Sequence, residues 1–184
     1  MRVISGTARS LILKTPKGNL TRPTTDKIKE TLFNMIANDL YDATFLDMFA
    51  GSGGIGIEAL SRGAKKAYFC DIDREAIECI KYNLAHTKLS DRAVVMKGSF
   101  ESNLDKIKGL SERFDIIFLD PPYKKGFEDK CLDILLNSTL IDEHTLIIIE
   151  EDFKTDTAHL EKDWDIVKVK EYKSNKHIFI HKRG

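Results

Sequence analysis

Long apolar runs are missing from this 184-residue chain. No stretch reaches the roughly 18 consecutive apolar residues of a membrane-spanning helix. The opening MRVISGTARS lacks the apolar segment of about 7–15 residues that marks a secretory signal, so a cytoplasmic protein is expected. Cysteine is scarce. Cys70, Cys79 and Cys131 are an odd number with no C-x-x-C pair, which signals neither a disulfide framework, a zinc site nor a redox pair. They read as small buried hydrophobes. His86, His144, His159, His177 and His181 show no metal-ligand spacing such as H-E-x-x-H, so each reads as a surface or internally satisfied residue and no metal is expected. No serine sits in G-x-S-x-G, so a hydrolase nucleophile elbow has no anchor. Net charge is absent too: 29 Lys and Arg stand against 29 Asp and Glu. With 42% hydrophobic residues the chain is not disordered, and its length suits one domain with a core of its own.

The zero sum conceals an asymmetry. Residues 1–31 hold seven basic and two acidic groups, a net of +5, and residues 168–184 hold six and one, again +5. The stretch between them carries −10. Basic ends on an acidic body point to an anionic partner, nucleic acid first. Lysine-guarded edge strands would leave the same pattern.

Strand and helix patterns alternate along the chain. Residues 2–5 and 9–14, split by Ser5-Gly6-Thr7, read as a small β-hairpin, followed by a loop through residue 24. From Asp26 the spacing of Ile28, Leu32, Met35 and Ile36 predicts a helix, with Thr24 or Thr25 to cap it. Continuous apolar runs follow at 44–49, 66–71, 93–97, 114–119 and 144–149, separated by helical segments near 54–62, 74–86, 100–110 and 126–137. Runs without polar alternation suit strands buried on both faces. The repetition predicts an α/β, Rossmann-like fold with a mostly parallel sheet and helices on both faces. Residues 164–171 and 177–182 alternate apolar with polar about Ser174-Asn175, which predicts an antiparallel hairpin at one sheet edge. The division expected is a basic extension, 1–24, and a domain, 25–184.

Strand 44–49 runs into Ala50-Gly51-Ser52-Gly53-Gly54-Ile55-Gly56 and then a helix. Gly51, Gly53 and Gly56 spell G-x-G-x-x-G in the strand–turn–helix context it requires. Asp71 ends the next strand, where a carboxylate can accept from ribose hydroxyls. An adenosine-type cofactor follows. Asp47 ends the first strand and Asp120 another, both opening on the same crevice. Two carboxylates are poor neighbours for the pyrophosphate of NAD. They suit the ammonium and sulfonium of S-adenosylmethionine.

The second motif is Asp120-Pro121-Pro122-Tyr123. Its prolines supply no N–H, so the turn presents acceptors. A carboxylate and a carbonyl held rigidly can take both hydrogens of an exocyclic amine. They favour the pyramidal nitrogen that attacks a methyl group. Tyr123 offers a face on which a base can stack. Lys124 and Lys125 read equally as phosphate contacts or as a solvated loop.

The strings LDMFAGSGGIGIEALSRGA and FLDPPY, with RPTTDKIKETLFN upstream, closely resemble the bacterial RsmD family of 16S rRNA guanine-N2 methyltransferases. The resemblance runs from Arg2 to the final hairpin and implies the class I methyltransferase fold. The D-P-P-Y tetrad alone indicates only amino-methylation of a base or a glutamine amide; the RPTTD segment points to this family. By resemblance, Asp120 to Tyr123 are the target-amine site. Asp47, Ala50, Gly51, Ser52 and Gly53 hold the methionine end of S-adenosylmethionine, and Asp71 with Ile72 its ribose side. Such enzymes place Asp or Asn near the adenine amine after the third strand; here the chain reads Lys97-Gly98-Ser99-Phe100, which leaves Ser99 or a backbone group as the substitute. Arg2, Arg9, Arg22, Thr24, Thr25 and Lys124 are expected to face RNA, in a small ribosomal subunit or an assembly particle. The alternatives are a DNA adenine or protein-glutamine methyltransferase, a non-catalytic RNA-binding assembly factor, and an NAD-linked dehydrogenase.

Overall fold

A computed structural model describes residues 1–16, 25–110, 112–123 and 125–184. The five continuous apolar runs form strands β1 (Thr44–Asp47), β2 (Lys66–Asp71), β3 (Ala93–Lys97), β4 (Ile116–Leu119) and β5 (Leu146–Asp152). With β6 (Trp164–Glu171) and β7 (Asn175–Lys182) they make a seven-stranded sheet of order β3-β2-β1-β4-β5-β7-β6. The first five strands pair parallel, and β7 runs antiparallel between β5 and β6.

Successive strand residues point to opposite faces. Accordingly Phe45, Phe118 and Ile148 enter one core, while Leu46, Ile117 and Ile147 enter the other. Helices α1 (Asp26–Met35), α2 (Ala37–Leu40), α3 (Gly54–Ser61) and α4 (Arg74–Thr87) cover the first through Phe33, Leu40, Ile57 and Ile80. Helices α5 (Phe100–Lys108) and α6 (Phe127–Leu136) cover the second through Leu104 and Leu132. Each such side chain contributes about 1.5–3 kcal/mol on burial. This two-sided cover is why β1, β2, β4 and β5 carry apolar residues in succession, whereas β3, at the sheet edge, is only part-buried. Cys70, Cys79 and Cys131 are buried free thiols; burial pushes Cys70 up to about 12, so it stays protonated.

Two local features differ from expectation. The N-terminal chain doubles back, but its pairing is the single bridge Arg2↔Ile12 rather than two strands. The arms keep Val3 N–H to Leu11 O and Leu13 N–H to Met1 O, and the chain between them is held by α3. Glu58 accepts from the amides of Ile4 (2.8 Å) and Ser5 (3.0 Å), and Ser61 binds the amides of Thr7 and Ala8. A satisfied backbone has no need of a ladder. Val3, Ala8 and Leu13 lie in the first core. The second difference is β7. Alternation predicted a half-exposed strand, yet Asn175 through Ile180 are all buried, because β7 is flanked by β5 and β6. Pairing with β7 also prolongs β5 to Asp152, beyond the expected 149.

Candidate active site

The strand order reverses at β1, which lies between β2 and β4. In open parallel sheets the crevice for ligands opens there, at the carboxyl ends. Asp71 ends β2, Asp47 ends β1 and Asp120 follows β4, so three of the expected acids gather on neighbouring strands.

The glycine loop makes this crevice close-fitting. Gly53 caps α3 with φ of 78°, a left-handed conformation that glycine adopts freely. Gly56 lets α3 press on β2: a Cβ there would meet Phe69 Cε1 at 2.4 Å. The close approach brings the Gly56 amide to Asp47 Oδ2 at 3.0 Å. Asp47 is only 2% exposed. Burial raises its carboxyl to about 7; the Gly56 hydrogen bond opposes this and the Asp71 charge adds to it. No ion pair to Asp47 occurs among the described residues.

Asp71 Oδ2 accepts from the Gly51 amide at 2.8 Å, and Oδ1 from the Asp73 amide at 2.9 Å. The Gly53 amide donates to the Ala50 carbonyl, and Asn83 Nδ2 donates to the Ser52 carbonyl at 2.9 Å. Two amides of the loop expected to hold the methionine end, those of Gly51 and Gly53, are therefore engaged within the chain. Their effect is to aim Asp71, whose remaining lone pairs are available to hydroxyls. Ile72, 69% exposed, sets an apolar side chain beside it. Ser99 caps α5, its Oγ accepting from Ser102 at 3.3 Å.

In the tetrad, Asp120 is partly open, Pro121 buried, and Pro122 and Tyr123 exposed. Burial first, then the charges of Glu150, Asp47 and Glu151, push the Asp120 carboxyl well above the ordinary carboxylate range. The Tyr123 phenol lies 3.5 Å from Glu150 Oε1, and burial with the surrounding acids pushes it up as well. Glu150 was not anticipated. It extends the apolar run 144–149, and three acids in succession, Glu150-Glu151-Asp152, at a strand's carboxyl end were the available signal.

The expected RNA contacts are dispersed. Arg2 pairs with Asp26 at 2.8 Å on the surface, and Arg9 is exposed. Thr25 caps α1 through its Oγ1. Arg22, Thr24 and Lys124 lie outside the described residues. No group of three metal-ligating side chains occurs among the described residues, and none of their helices is long and apolar enough to cross a membrane. A hollow of about 440 Å³ near Asp39, Asp115 and His144 lies at the opposite, amino end of β4 and β5, away from the acids.

Comparison with known proteins gives the family. The family model described as Conserved hypothetical protein 95 matches residues 1–181. Ribosomal RNA small subunit methyltransferase D of Escherichia coli is 32% identical over 90% of this chain and 82% of its own length. YlbH of Bacillus subtilis, by its name a candidate rRNA methyltransferase, is 43% identical over 83% of each chain. The solved structure of yhhF from Escherichia coli covers all of this chain and 98% of its own, with 32% identity and a TM-score of 0.88. Matched from end to end by relatives above 30% identity and carrying the class I methyltransferase fold, the chain belongs to this family, the RsmD family that its motifs resemble.

Proposed function

We propose that the protein transfers a methyl group from S-adenosylmethionine to the exocyclic N2 amine of a guanine in 16S rRNA, within a small ribosomal subunit or an assembly particle in the cytoplasm. The observation that carries this reading is the convergence of Asp71, Asp47 and the Asp120 tetrad on one crevice. The residues fit the cofactor: a buried Asp47 suits an ammonium or sulfonium, Asp71 suits ribose hydroxyls, and Ile72 offers apolar surface to adenine. The bound cofactor would supply an electrophilic methyl on a sulfonium. The chain supplies orientation. Asp120 accepts one amine hydrogen and the Pro121 carbonyl the other, which directs the nitrogen lone pair. Tyr123 stacks the flipped base. The proton lost from nitrogen passes to the Asp120 carboxylate. Arg2, Arg9, Arg22, Thr24, Thr25 and Lys124 serve phosphate and the RNA approach, with residues 1–24 as the extension and 25–184 as the catalytic domain. Mass mapping of nucleosides in 16S rRNA from cells with and without the gene tests the reading. One N2-methylguanosine should vanish with the gene; unchanged rRNA refutes it.

A further inference from the structure

Glu150 occupies a place that the amine-site chemistry above does not use. The β4–β5 register pairs Leu119 with Ile149, so one step further sets Asp120 beside Glu150 on adjoining strands. Neighbouring strands lie about 4.8 Å apart. Across the other edge of β5, Glu150 pairs directly with His177 of β7.

Glu150 is 6% exposed and His177 fully buried. His177 Nε2 lies 3.0 Å from Glu150 Oε2, and Asn175 Nδ2 lies 2.6 Å from Oε1. A carboxylate only accepts, so Nε2 carries the imidazole proton, and His177 Nδ1 accepts from the Tyr172 hydroxyl at 3.3 Å. The Tyr123 phenol is a third, longer donor to Glu150, at 3.5 Å. Donors thus converge on a buried carboxylate and hold its charge in a fixed position.

We propose that Glu150 is a positioning residue of the methyl-transfer site: pinned by His177 and Asn175, it steadies the Tyr123 ring and places a fixed negative charge beside Asp120. This rests on the reaction proposed above. In that reaction the N–CH3 bond forms as the S–CH3 bond breaks, its electron pair staying on sulfur. An N–H bond then breaks, its pair staying on nitrogen and its proton going to Asp120. A negative neighbour makes Asp120 the better acceptor for that proton. The groups facing Asp120 are Asp47 from β1, Glu150 and Glu151 from β5, and Tyr123 from its own turn. Those facing Glu150 are Asp120 after β4, His177 and Asn175 from β7, Tyr172, and Tyr123.

The test is Glu150→Gln, which keeps shape and an acceptor oxygen but removes the charge. The measurement is single-turnover methyl transfer at saturating cofactor across pH, on small-subunit particles lacking the modification. The variant should fold as the wild type does and bind cofactor within about threefold. Its plateau rate should fall roughly tenfold or more. Its acid limb should move down by about one pH unit, because Asp120 loses a like-charged neighbour. His177→Gln keeps a neutral donor and should leave the acid limb where it is. Asp47 titrates through cofactor affinity, so saturation removes it from this profile. An unshifted limb with an unchanged rate in Glu150→Gln makes the Glu150–His177 pair purely structural and overturns the proposal. So does an acid limb that disappears in His177→Gln. If the wild type itself transfers no methyl to a guanine amine, the reaction proposed above fails, a separate outcome.

Discussion

Replacing Asp47 with Asn should make the free protein more stable and the cofactor complex weaker. The carboxyl is buried against Gly56 and rises to about 7, against an ordinary value of 3.8. In the unfolded chain it ionises near its ordinary value, so holding the charge inside costs stability as pH rises from about 4 to 7. About three pKa units at 1.36 kcal/mol each is a cost of roughly 4 kcal/mol, fully present above pH 7 and absent below the unfolded value. The amide oxygen of the variant would accept from the Gly56 N–H without ionising, so it escapes this cost. Urea unfolding of both proteins at pH 5 and pH 8 measures the effect. The stability advantage of Asp47→Asn should grow by roughly 3 kcal/mol between the two. Calorimetry should show cofactor affinity reduced by about 10- to 150-fold, the worth of a charge-assisted contact. An advantage that does not change with pH, or a variant that binds cofactor normally, refutes the assignment of Asp47 to a cationic ligand.

Further outcomes follow from the same geometry. Asp71→Ala removes the acceptor of the Gly51 and Asp73 amides. It should weaken S-adenosylmethionine and S-adenosylhomocysteine by about 10- to 150-fold in calorimetry, with no NAD binding in either protein. Tyr123→Ala should lose roughly 1–3 kcal/mol of stacking, read as slower single-turnover transfer, whereas Tyr123→Phe keeps the ring and forfeits only a 3.5 Å contact. Deleting residues 1–14 would remove Val3, Ala8 and Leu13 from the first core and strip cover from the buried Lys29–Glu58 pair, so it would test folding. Arg9→Glu on the exposed surface is the cleaner probe. RNA binding should weaken and its salt dependence flatten, with cofactor affinity unchanged.

The sheet was readable in sequence because burial on both faces forces a composition that turns and exposed helices do not share. The runs at 66–71 and 93–97 match β2 and β3 residue for residue. The glycine loop and the tetrad were readable because backbone conformation and proline chemistry restrict which residues can stand there. Three features were not, and each depends on distant chain. Residues 2–5 and 9–14 read as a paired hairpin, but Ile4, Ser5 and Ala8 spend hydrogen bonds on Glu58 and Ser61, more than fifty positions away. The burial of His177 comes from its place between β5 and β6, which local alternation cannot express. Glu150 looks like a solvated strand end until the register sets it between His177 and Asp120.

The central claim is that Asp120 accepts from a guanine amine during methyl transfer. Purified protein, labelled S-adenosylmethionine and small-subunit particles lacking the modification allow single-turnover measurement, with nucleoside digestion to locate the methyl. The wild type should place it on guanine N2. Asp120→Ala should slow transfer by on the order of 10²–10³-fold at saturating cofactor, and Asp120→Asn by less, since an amide oxygen still accepts. A near wild-type rate in Asp120→Ala, or a methyl on any other atom, contradicts the account.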